Sequence, residues 1–278
     1  MLEILESYGF VDDQIRTVDW INANLDFVGR PVYEVVRLID SVPLFFEDHM
    51  KRLENSCRIV GLENRIDANG VRKGIDILAR NCKRTQGNLK IVYGELSSEQ
   101  RMQLLIVFIP CFYPGPELYN NGVAATLLQM ERPNPQAKLI KEKPKGLQEM
   151  IDVEAGFYEI LMVNVSGKVT EGSRSNVFMI AGDSLVTAPD EDVLSGITRD
   201  KVLAIAKERD IDLQFESIKK EKLAQFDSVF LTGTSPGVLP VRSVNELTFD
   251  VRHPLLRKIM SDYQQMVKDD ILVSGQQK

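Results

Sequence analysis

YEILMVNVSGKVTEGSRSNVFMIAGDSLVTA, residues 158–188, holds three runs of β-branched and apolar residues separated by the turn signals SGK and GD. Runs of this length and composition, bounded by glycine, serine and aspartate, are typical of strands. The stretch therefore predicts strand, turn, strand, turn, strand. Within the middle run, Glu171 stands beside Gly172 and Ser173, just before an apolar segment.

Helical and strand patterns alternate on both sides of this stretch. Phe46, Met50, Leu53, Cys57 and Val60 recur at steps of four and three, which predicts a helix that Gly61 ends. The other expected helices cover 68–82, 147–156, GITRDKVLAIAKER (196–209) and 253–272. The other expected strands are VYEVVRLI (32–39), followed by a hairpin turn, and NLKIVYG (88–94), MQLLIVFIP (102–110), VAATLLQM (123–130), 212–218 and 228–232. This order predicts the α/β (α+β) class.

The segment FYPGPELYNNG (112–122) is rich in proline, glycine and asparagine and has little periodicity. We therefore expect a small N-terminal α/β domain at 1–117, a linker at 118–123 and a larger domain at 124–278.

Composition excludes several classes of protein. A net charge of −6 and a pI of about 5.2 provide no basic field for nucleic acid. Three scattered cysteines without C-x-x-C spacing argue against disulfides and a zinc site, so we expect no metal. The first residues lack a signal-peptide pattern, and the longest apolar run, 102–112, is about half as long as a bilayer span requires. We therefore expect a cytoplasmic protein without membrane contact.

Two segments offer backbone N–H groups to an anion. In GITRDKVL, Gly196 permits a close approach and Thr198 is a candidate N-cap, so the helix start is a candidate phosphate site or simply a capped helix. LTGTSPGVLPV (231–241) places Thr232, Thr234 and Ser235 at a strand end, as an anion site or a plain turn. No G-K-[ST] follows it, which disfavours nucleoside triphosphate binding.

Charged residues complete the set of candidates. Glu171 is either a ligand for a positive ring nitrogen or a solvated hairpin glutamate. His49, Arg52 and Ser56 share one helix face, where Arg52 is either a phosphate ligand or an exposed arginine. ERPNPQAKLIKEKPKG (131–146) adds four lysines. Together these groups match the needs of pyridoxal phosphate: a lysine, a phosphate cradle and an acid for the pyridine nitrogen.

The chain resembles the class IV aminotransferases, the fold-type IV pyridoxal phosphate enzymes, which include branched-chain aminotransferase, D-amino acid aminotransferase and aminodeoxychorismate lyase. The resemblance runs through VYEVVRL, EDHMKRLENS, ERPNPQAK, YEILMVNVSGKVTEGSRSNVF, LSGITRDKVL and FLTGTSPGVLPV. It implies a small N-terminal α/β domain and a larger barrel-like α/β domain with the cofactor between them. It also implies a homodimer whose partner subunit helps to close the active site.

The resemblance assigns roles residue by residue. Lys138 would form the Schiff base with pyridoxal 5′-phosphate and move the proton between the substrate Cα and the cofactor C4′, and Glu171 would bond the pyridine nitrogen. The phosphate would be held by Arg52, by the backbone N–H groups of Ile197 and Thr198, and by Thr234. The substrate residues would be Tyr33, Arg37, Tyr93, Thr234 and Ser235.

Two positions depart from the family pattern. Lys143 stands where many members have a tyrosine near the cofactor O3′, and Tyr93 stands where D-amino acid aminotransferases have an arginine. The second departure argues for an amino acid with an apolar side chain and a 2-oxo acid as substrates. An aminodeoxychorismate lyase-type reaction remains an alternative, since it would use the same cofactor residues. A non-catalytic cofactor-binding relative is a further alternative, favoured by Lys143 in place of the tyrosine near O3′. Lys141, Lys143 and Lys145 are expected to be solvated.

Overall fold

The computed structural model describes residues 3–97, 101–132, 135–140 and 156–276. Their contacts divide the chain into two compact units. The first comprises 1–112, 137–141 and 267–278, and the second comprises 113–136 and 142–266. The segment that carries Lys138 is thus grouped with the N-terminal residues, although the predicted linker precedes it in sequence. The predicted domain limits stay predictions.

In its described residues the first unit contains a six-stranded antiparallel sheet, three complete helices and the end of the C-terminal helix. The strands are β1 Tyr8–Val11, β2 Gln14–Thr17, β3 Phe27–Ile39, β4 Val42–Pro43, β5 Gly87–Leu96 and β6 Met102–Ile109. Their order across the sheet is β2-β1-β6-β5-β3-β4. The helices are α1 Val18–Asn24, α2 Phe46–Val60 and α3 Ala68–Asn81. Side chains of α2 and α3 form one core with a face of the sheet, in which Leu53, Ile75 and Ile106 are fully buried.

Helix α2 has the predicted apolar stripe, because Phe46, Met50, Leu53 and Cys57 are all buried. It ends at Gly61, whose φ of 74° is the left-handed conformation that glycine adopts most easily. The same helix turns three polar side chains, His49, Arg52 and Ser56, into the protein interior.

The second unit contains a ten-stranded mixed sheet. Its strands are β7 Val123–Gln129, β8 Glu159–Val163, β9 Lys168–Gly172, β10 Asn176–Ala181, β11 Ser184–Thr187, β12 Asp212–Phe215, β13 Ile218–Lys219, β14 Ser228–Gly233, β15 Gly237–Val244 and β16 Leu247–Thr248. Their order is β12-β11-β10-β14-β15-β7-β8-β9-β13, with β16 paired to β15. The pairs β7–β8, β7–β15 and β11–β12 are parallel, and the rest are antiparallel.

The remaining helices are α4 Pro116–Asn121, α5 Ile197–Glu208 and α6 Pro254–Gly275, with 3-10 turns at Asp190–Asp192 and Lys220–Gln225. The mixed α/β class is confirmed. The 158–188 stretch, predicted as three strands, forms four, because its middle run divides into β9 and β10. The segment expected to be irregular contains α4, which begins with Pro116 in its first turn, where proline is tolerated. The predicted helix at 147–156 and the lysines Lys141, Lys143 and Lys145 fall outside the described residues, apart from Gly156.

The described part of the chain shows neither a membrane-spanning helix nor a metal-binding group of side chains. None of its helices combines the length and hydropathy needed to cross a membrane. Likewise, none of its His, Cys, Asp and Glu side chains come together in groups of three or more that could hold a metal ion.

Candidate functional site

A buried carboxylate, Glu34, lies at the centre of the polar cluster in the first unit. Glu34 is on β3 and shares a face with Val32 and Val36, because alternate residues of a strand point the same way. That face packs against α2, so the carboxylate is fully buried beneath the helix. His49 and Arg52, three residues apart on α2, both reach it.

Arg52 and His49 hydrogen-bond directly to Glu34. Arg52 donates from Nε to Oε1 at 2.8 Å and from Nη2 to Oε2 at 2.6 Å, a bidentate pair. His49 Nδ1 lies 2.8 Å from Oε2. An ionised carboxylate only accepts, so Nδ1 carries the proton of this hydrogen bond.

Lys138 joins the same cluster from a segment that runs beside β3. Tyr33 N donates to Lys138 O at 2.9 Å, and Ile140 N donates to Pro31 O at 3.0 Å. Lys138 N donates to Ser56 Oγ at 3.3 Å. This backbone pairing directs the side chain inward, and its Nζ lies 3.8 Å from Glu34 Oε2. The structure thus brings together Lys138, Arg52 and Ser56, which are distant in sequence.

Charge and burial set the protonation of this cluster. Burial by itself would raise the pKa of Glu34, but the charges of Arg52 and Lys138 and the hydrogen bonds from Arg52 and His49 hold it well below its usual range. Burial lowers the pKa of His49, and Glu34 opposes this only in part. At neutral pH Glu34 is therefore an anion and His49 is neutral.

The second unit holds another buried carboxylate, Glu171, at the end of β9. Arg132 Nε donates to its Oε1 at 2.7 Å, and Leu194 N donates to its Oε2 at 3.2 Å. Asn176 Nδ2 lies 3.4 Å from the same Oε2. Burial raises the pKa of Glu171, and the charge of Arg132 and the hydrogen bond from Leu194 counteract the rise only in part. Unlike Glu34, this carboxylate is held closer to its neutral form.

The turn that follows Glu171 is shaped by Glu159 on β8. Glu159 is fully buried and accepts from Ser173 Oγ at 2.6 Å and Ser175 Oγ at 2.7 Å. A Cβ at Gly172 would lie 2.2 Å from Ser175 Oγ, so only glycine fits there. The sequence EGSRSN therefore folds around an internal carboxylate that fixes the end of β9.

Asn176 connects Glu171 to the start of α5. Its Nδ2 donates to Leu194 O at 2.8 Å, and a Cβ at Gly196 would lie 2.0 Å from its Oδ1. The close neighbour of Gly196 is thus the Asn176 amide, and the approach of an anion at this glycine stays a prediction. The N-cap of α5 is Gly196 and not Thr198, which lies within the first turn, so the expected Thr198 cap is wrong. Backbone N–H groups of a first helical turn have no partner within the helix, which makes Ile197 and Thr198 available as backbone donors.

Thr234 and Ser235 lie in the tight turn between β14 and β15 and are half-buried. Thr232, two residues earlier, pairs with Asn176 across the sheet. Its side chain is buried, and its Oγ1 has no hydrogen-bond partner among the described residues. A buried hydroxyl without a partner is costly, so it marks a place where a polar ligand would be accepted.

The predicted substrate residues do not share one face of the first sheet. Tyr33 and Arg37 lie on the face away from α2, and the Nζ atoms of Lys90 and Lys138 lie 4.6 and 5.2 Å from the centre of the Tyr33 ring. Tyr93 is opposite Val32 and faces the helix side. Its hydroxyl donates to Glu63 O at 2.8 Å and accepts from Arg65 N at 3.2 Å.

Glu34, Arg132 and Asn176 belong to these clusters but were not identified from the sequence; Glu34 and Asn176 are buried, and Arg132 is half-buried. Glu34 had a signal, since it is the one charge on the otherwise apolar even-numbered face of VYEVVRL. Arg132 stands in the basic loop attributed to solvent, and Asn176 begins a strand without any distinctive spacing. Their partners come from other parts of the chain, so only the fold identifies them.

Residues 31–244 match the family described as amino-transferase class IV. A probable branched-chain-amino-acid aminotransferase of Thermotoga maritima is 29% identical over 231 residues, 80% of either chain. The fold is similar to that of the Escherichia coli branched-chain amino acid aminotransferase, with a TM-score of 0.79, 21% identity and 95% of both chains covered. A hypothetical aminotransferase from Mycobacterium tuberculosis, in an alpha-ketoglutarate and PMP bound form, gives a TM-score of 0.77 at 17% identity, over 95% of this chain and 100% of the other.

The family match and the structural neighbours define a fold-type IV enzyme. The chain belongs to the class IV aminotransferase family, and the resemblance seen in its sequence is confirmed. The cofactor of this family is pyridoxal 5′-phosphate.

The side chains present suit this cofactor. The first unit provides an amine and a guanidinium at Lys138 and Arg52, the groups needed for an aldehyde and a phosphate. The second provides the carboxylate of Glu171, which has about four acceptor positions, three of them used by the contacts above. The unpartnered hydroxyl of Thr232 is a further polar group that a ligand would satisfy.

Proposed function

We propose that the chain moves an amino group between an amino acid with an apolar, branched-chain-like side chain and a 2-oxo acid, with the cofactor held covalently by Lys138. The observation that carries the proposal is the meeting of Lys138 and Arg52 at Glu34. Lys138 Nζ lies 3.8 Å and Arg52 Nη2 lies 2.6 Å from the same carboxylate oxygen. The amine for covalent attachment and a cation for phosphate are therefore close neighbours in the folded chain.

Each cofactor group has a proposed partner. Arg52, the backbone N–H groups of Ile197 and Thr198, and Thr234 hold the phosphate, and Glu171 accepts from the pyridine nitrogen. When bound, the cofactor supplies an electron sink for the negative charge that develops at the substrate Cα. Lys138 would take the proton from the substrate Cα and deliver it to the cofactor C4′, acting as general base and then as general acid.

The proposed substrate residues are Tyr33, Arg37, Tyr93, Thr234 and Ser235. Tyr33 is the best supported of them, because its ring lies beside the Lys138 ammonium. The apolar substrate is supported by the naming of the Thermotoga maritima relative and by the absence of arginine at position 93. The proposal also includes the homodimer and the cytoplasmic location expected from the sequence.

The proposal is tested by single half-reactions on the purified protein. Leucine, isoleucine, valine and other amino acids are added one at a time, and the absorbance of the lysine-bound cofactor is followed. Borohydride reduction followed by peptide mass spectrometry locates the modified residue. We expect conversion by branched-chain amino acids and cofactor mass on Lys138. Lys138→Ala should abolish both, whereas Lys51→Ala, at an exposed position of α2, should change neither.

Other outcomes identify the alternatives. Release of pyruvate from aminodeoxychorismate without amino transfer would show that the chain is a lyase and not an aminotransferase. A solved structure of a putative 4-amino-4-deoxychorismate lyase of Legionella pneumophila shares the fold. Labelling at Lys138 without turnover of any substrate would indicate a cofactor-binding relative that has lost its activity. A protein that borohydride does not label at Lys138 would refute the proposed attachment.

A further inference from the structure

Glu34 has no role among the proposed cofactor ligands, yet it is the residue that organises two of them. Its carboxylate is fully buried, and a buried carboxylate persists only where hydrogen bonds and opposite charges compensate for lost water. Arg52 provides two hydrogen bonds, His49 provides one, and the Lys138 ammonium lies 3.8 Å away. Glu34 is therefore the common acceptor of the cluster.

The contact with Arg52 fixes the direction of the guanidinium. Both hydrogen bonds come from the Nε and Nη2 edge, which sets the plane and the rotation of the group. Because Arg52 lies on α2 and Glu34 on β3, the pair also ties the helix to the strand. An arginine held in this way loses little conformational freedom when it binds an anion.

The charges of the cluster are unequal. His49 is neutral, so the single charge of Glu34 faces the charges of both Arg52 and Lys138. This arrangement neutralises most of the repulsion between the two cations and still favours a phosphate group. Glu34 also repels that phosphate, because like charges in a buried site interact strongly.

We propose that Glu34 is the internal counter-ion of this site: a positioning residue that orients Arg52, offsets the charges of Arg52 and Lys138 before phosphate binds, and competes with phosphate for them. The inference rests on the proposed function, in which Arg52 and Lys138 hold the cofactor. In this role Glu34 acts in the cofactor-free protein, and its negative charge lowers the affinity of the site for phosphate.

The test uses the full chain freed of cofactor, with inorganic phosphate as the probe. Glu34→Gln keeps the shape of the side chain and removes its charge, so the cations lose their counter-ion. We expect the apparent Tm to fall by about 10 °C. Phosphate should restore more of the Tm in this variant than it adds to the wild type, with an apparent Kd about tenfold lower. Glu54→Gln removes an exposed carboxylate of α2 and should leave both quantities unchanged.

A double variant separates a counter-ion from a general structural role. In Glu34→Gln/Arg52→Met both charges are gone, so at least half of the lost Tm should return, while the response to phosphate should decrease. If Glu34→Gln does not fold but the double variant does, the inference is supported in the same way. It is overturned if Glu34→Gln has the Tm of the wild type, if phosphate stabilises both equally, or if the double variant is no more stable than the single.

These measurements are independent of the proposed reaction. If borohydride with pyridoxal phosphate does not label Lys138 in the wild type, the proposed function fails. The phosphate-dependent Tm values of the four proteins decide the role of Glu34 in either case.

Discussion

Replacing Gly196 with alanine places a methyl group where the amide of Asn176 now lies. The added Cβ would be 2.0 Å from Asn176 Oδ1, whereas ordinary contacts begin at about 3.4 Å, so the amide must move by more than about 1 Å. Its 2.8 Å hydrogen bond to Leu194 O cannot survive that shift, nor can its weaker contact with Glu171. Because φ of Gly196 is −75°, alanine adds no backbone strain, and the clash is the whole effect.

The expected loss follows from these contacts. A buried amide that loses its partner costs about 1–3 kcal/mol, and overpacking costs about 1–3 kcal/mol more. We therefore expect the free energy of unfolding to fall by about 2–6 kcal/mol. Because Leu194 and the start of α5 would shift with the amide, the affinity for pyridoxal phosphate should fall by about tenfold or more.

Gly115 provides a matched control. It is also the N-cap of a helix in the second unit, with φ of −73°, and an added Cβ there would meet only the carboxylate end of Glu117, an exposed and flexible side chain. Urea unfolding and cofactor titration are measured for Gly115→Ala and Gly196→Ala side by side. In an Asn176→Ala background, Gly196→Ala should become nearly harmless. Equal losses at the two glycines, or an undiminished loss in that background, would refute the reasoning.

Four further outcomes are expected. Wild type should be more stable than Glu34→Gln, fully so above pH 4.5, the ordinary pKa of a glutamate, and by less as the pH falls below 4.5. The reason is that the folded-state pKa of Glu34 is lowered. Urea unfolding of both proteins from about pH 7 to 4 measures the difference. Glu171→Gln in the cofactor-free protein should show the opposite slope, gaining relative to the wild type as the pH rises, because the folded-state pKa of Glu171 is raised. Tyr93→Phe removes the hydrogen bond to Glu63 O and should cost about 1–2 kcal/mol of stability; an accompanying rise in KM would support the predicted substrate contact, and an unchanged KM would argue against it. Gln103 is fully buried, and its side-chain N and O have no partner among the described residues, so Gln103→Met should stabilise the protein by about 1–2 kcal/mol in calorimetry.

Helices and strands with a strongly periodic or continuous apolar pattern could be predicted from the sequence, and elements that depend on an unusual turn could not. The apolar stripe of α2 and the long runs of β5 and β6 lie where the residue pattern indicates. The hairpin β1–β2 was missed because Asp12 and Asp13 form its turn, with φ of 40° and 63°. Such turns usually contain glycine or asparagine, and two aspartates give no comparable signal.

Residue spacing alone predicted the candidate site only where its residues share one element, whereas Lys138 and Glu171 were joined to it by the family resemblance. His49, Arg52 and Ser56 follow from helical spacing, and all three are buried as a group. The partners of Glu171 come from three separate segments, with Arg132 before β8, Asn176 on β10 and Leu194 before α5. No spacing rule connects such residues, since the sheet order that unites them is fixed by long-range pairing.

The opposite environments of Glu34 and Glu171 explain how one chain can use two buried carboxylates differently. Glu34 faces two cations and three hydrogen bonds, so it stays ionised and acts as a permanent charge. Glu171 has one arginine and weaker contacts, so burial raises its pKa and leaves its charge sensitive to what it binds. A protonated pyridine nitrogen would supply the positive charge that favours ionisation of Glu171, so binding and ionisation reinforce each other. A phosphate would not favour the ionised form of Glu34, which agrees with the proposed roles of Glu34 as a counter-ion and Glu171 as a cofactor ligand.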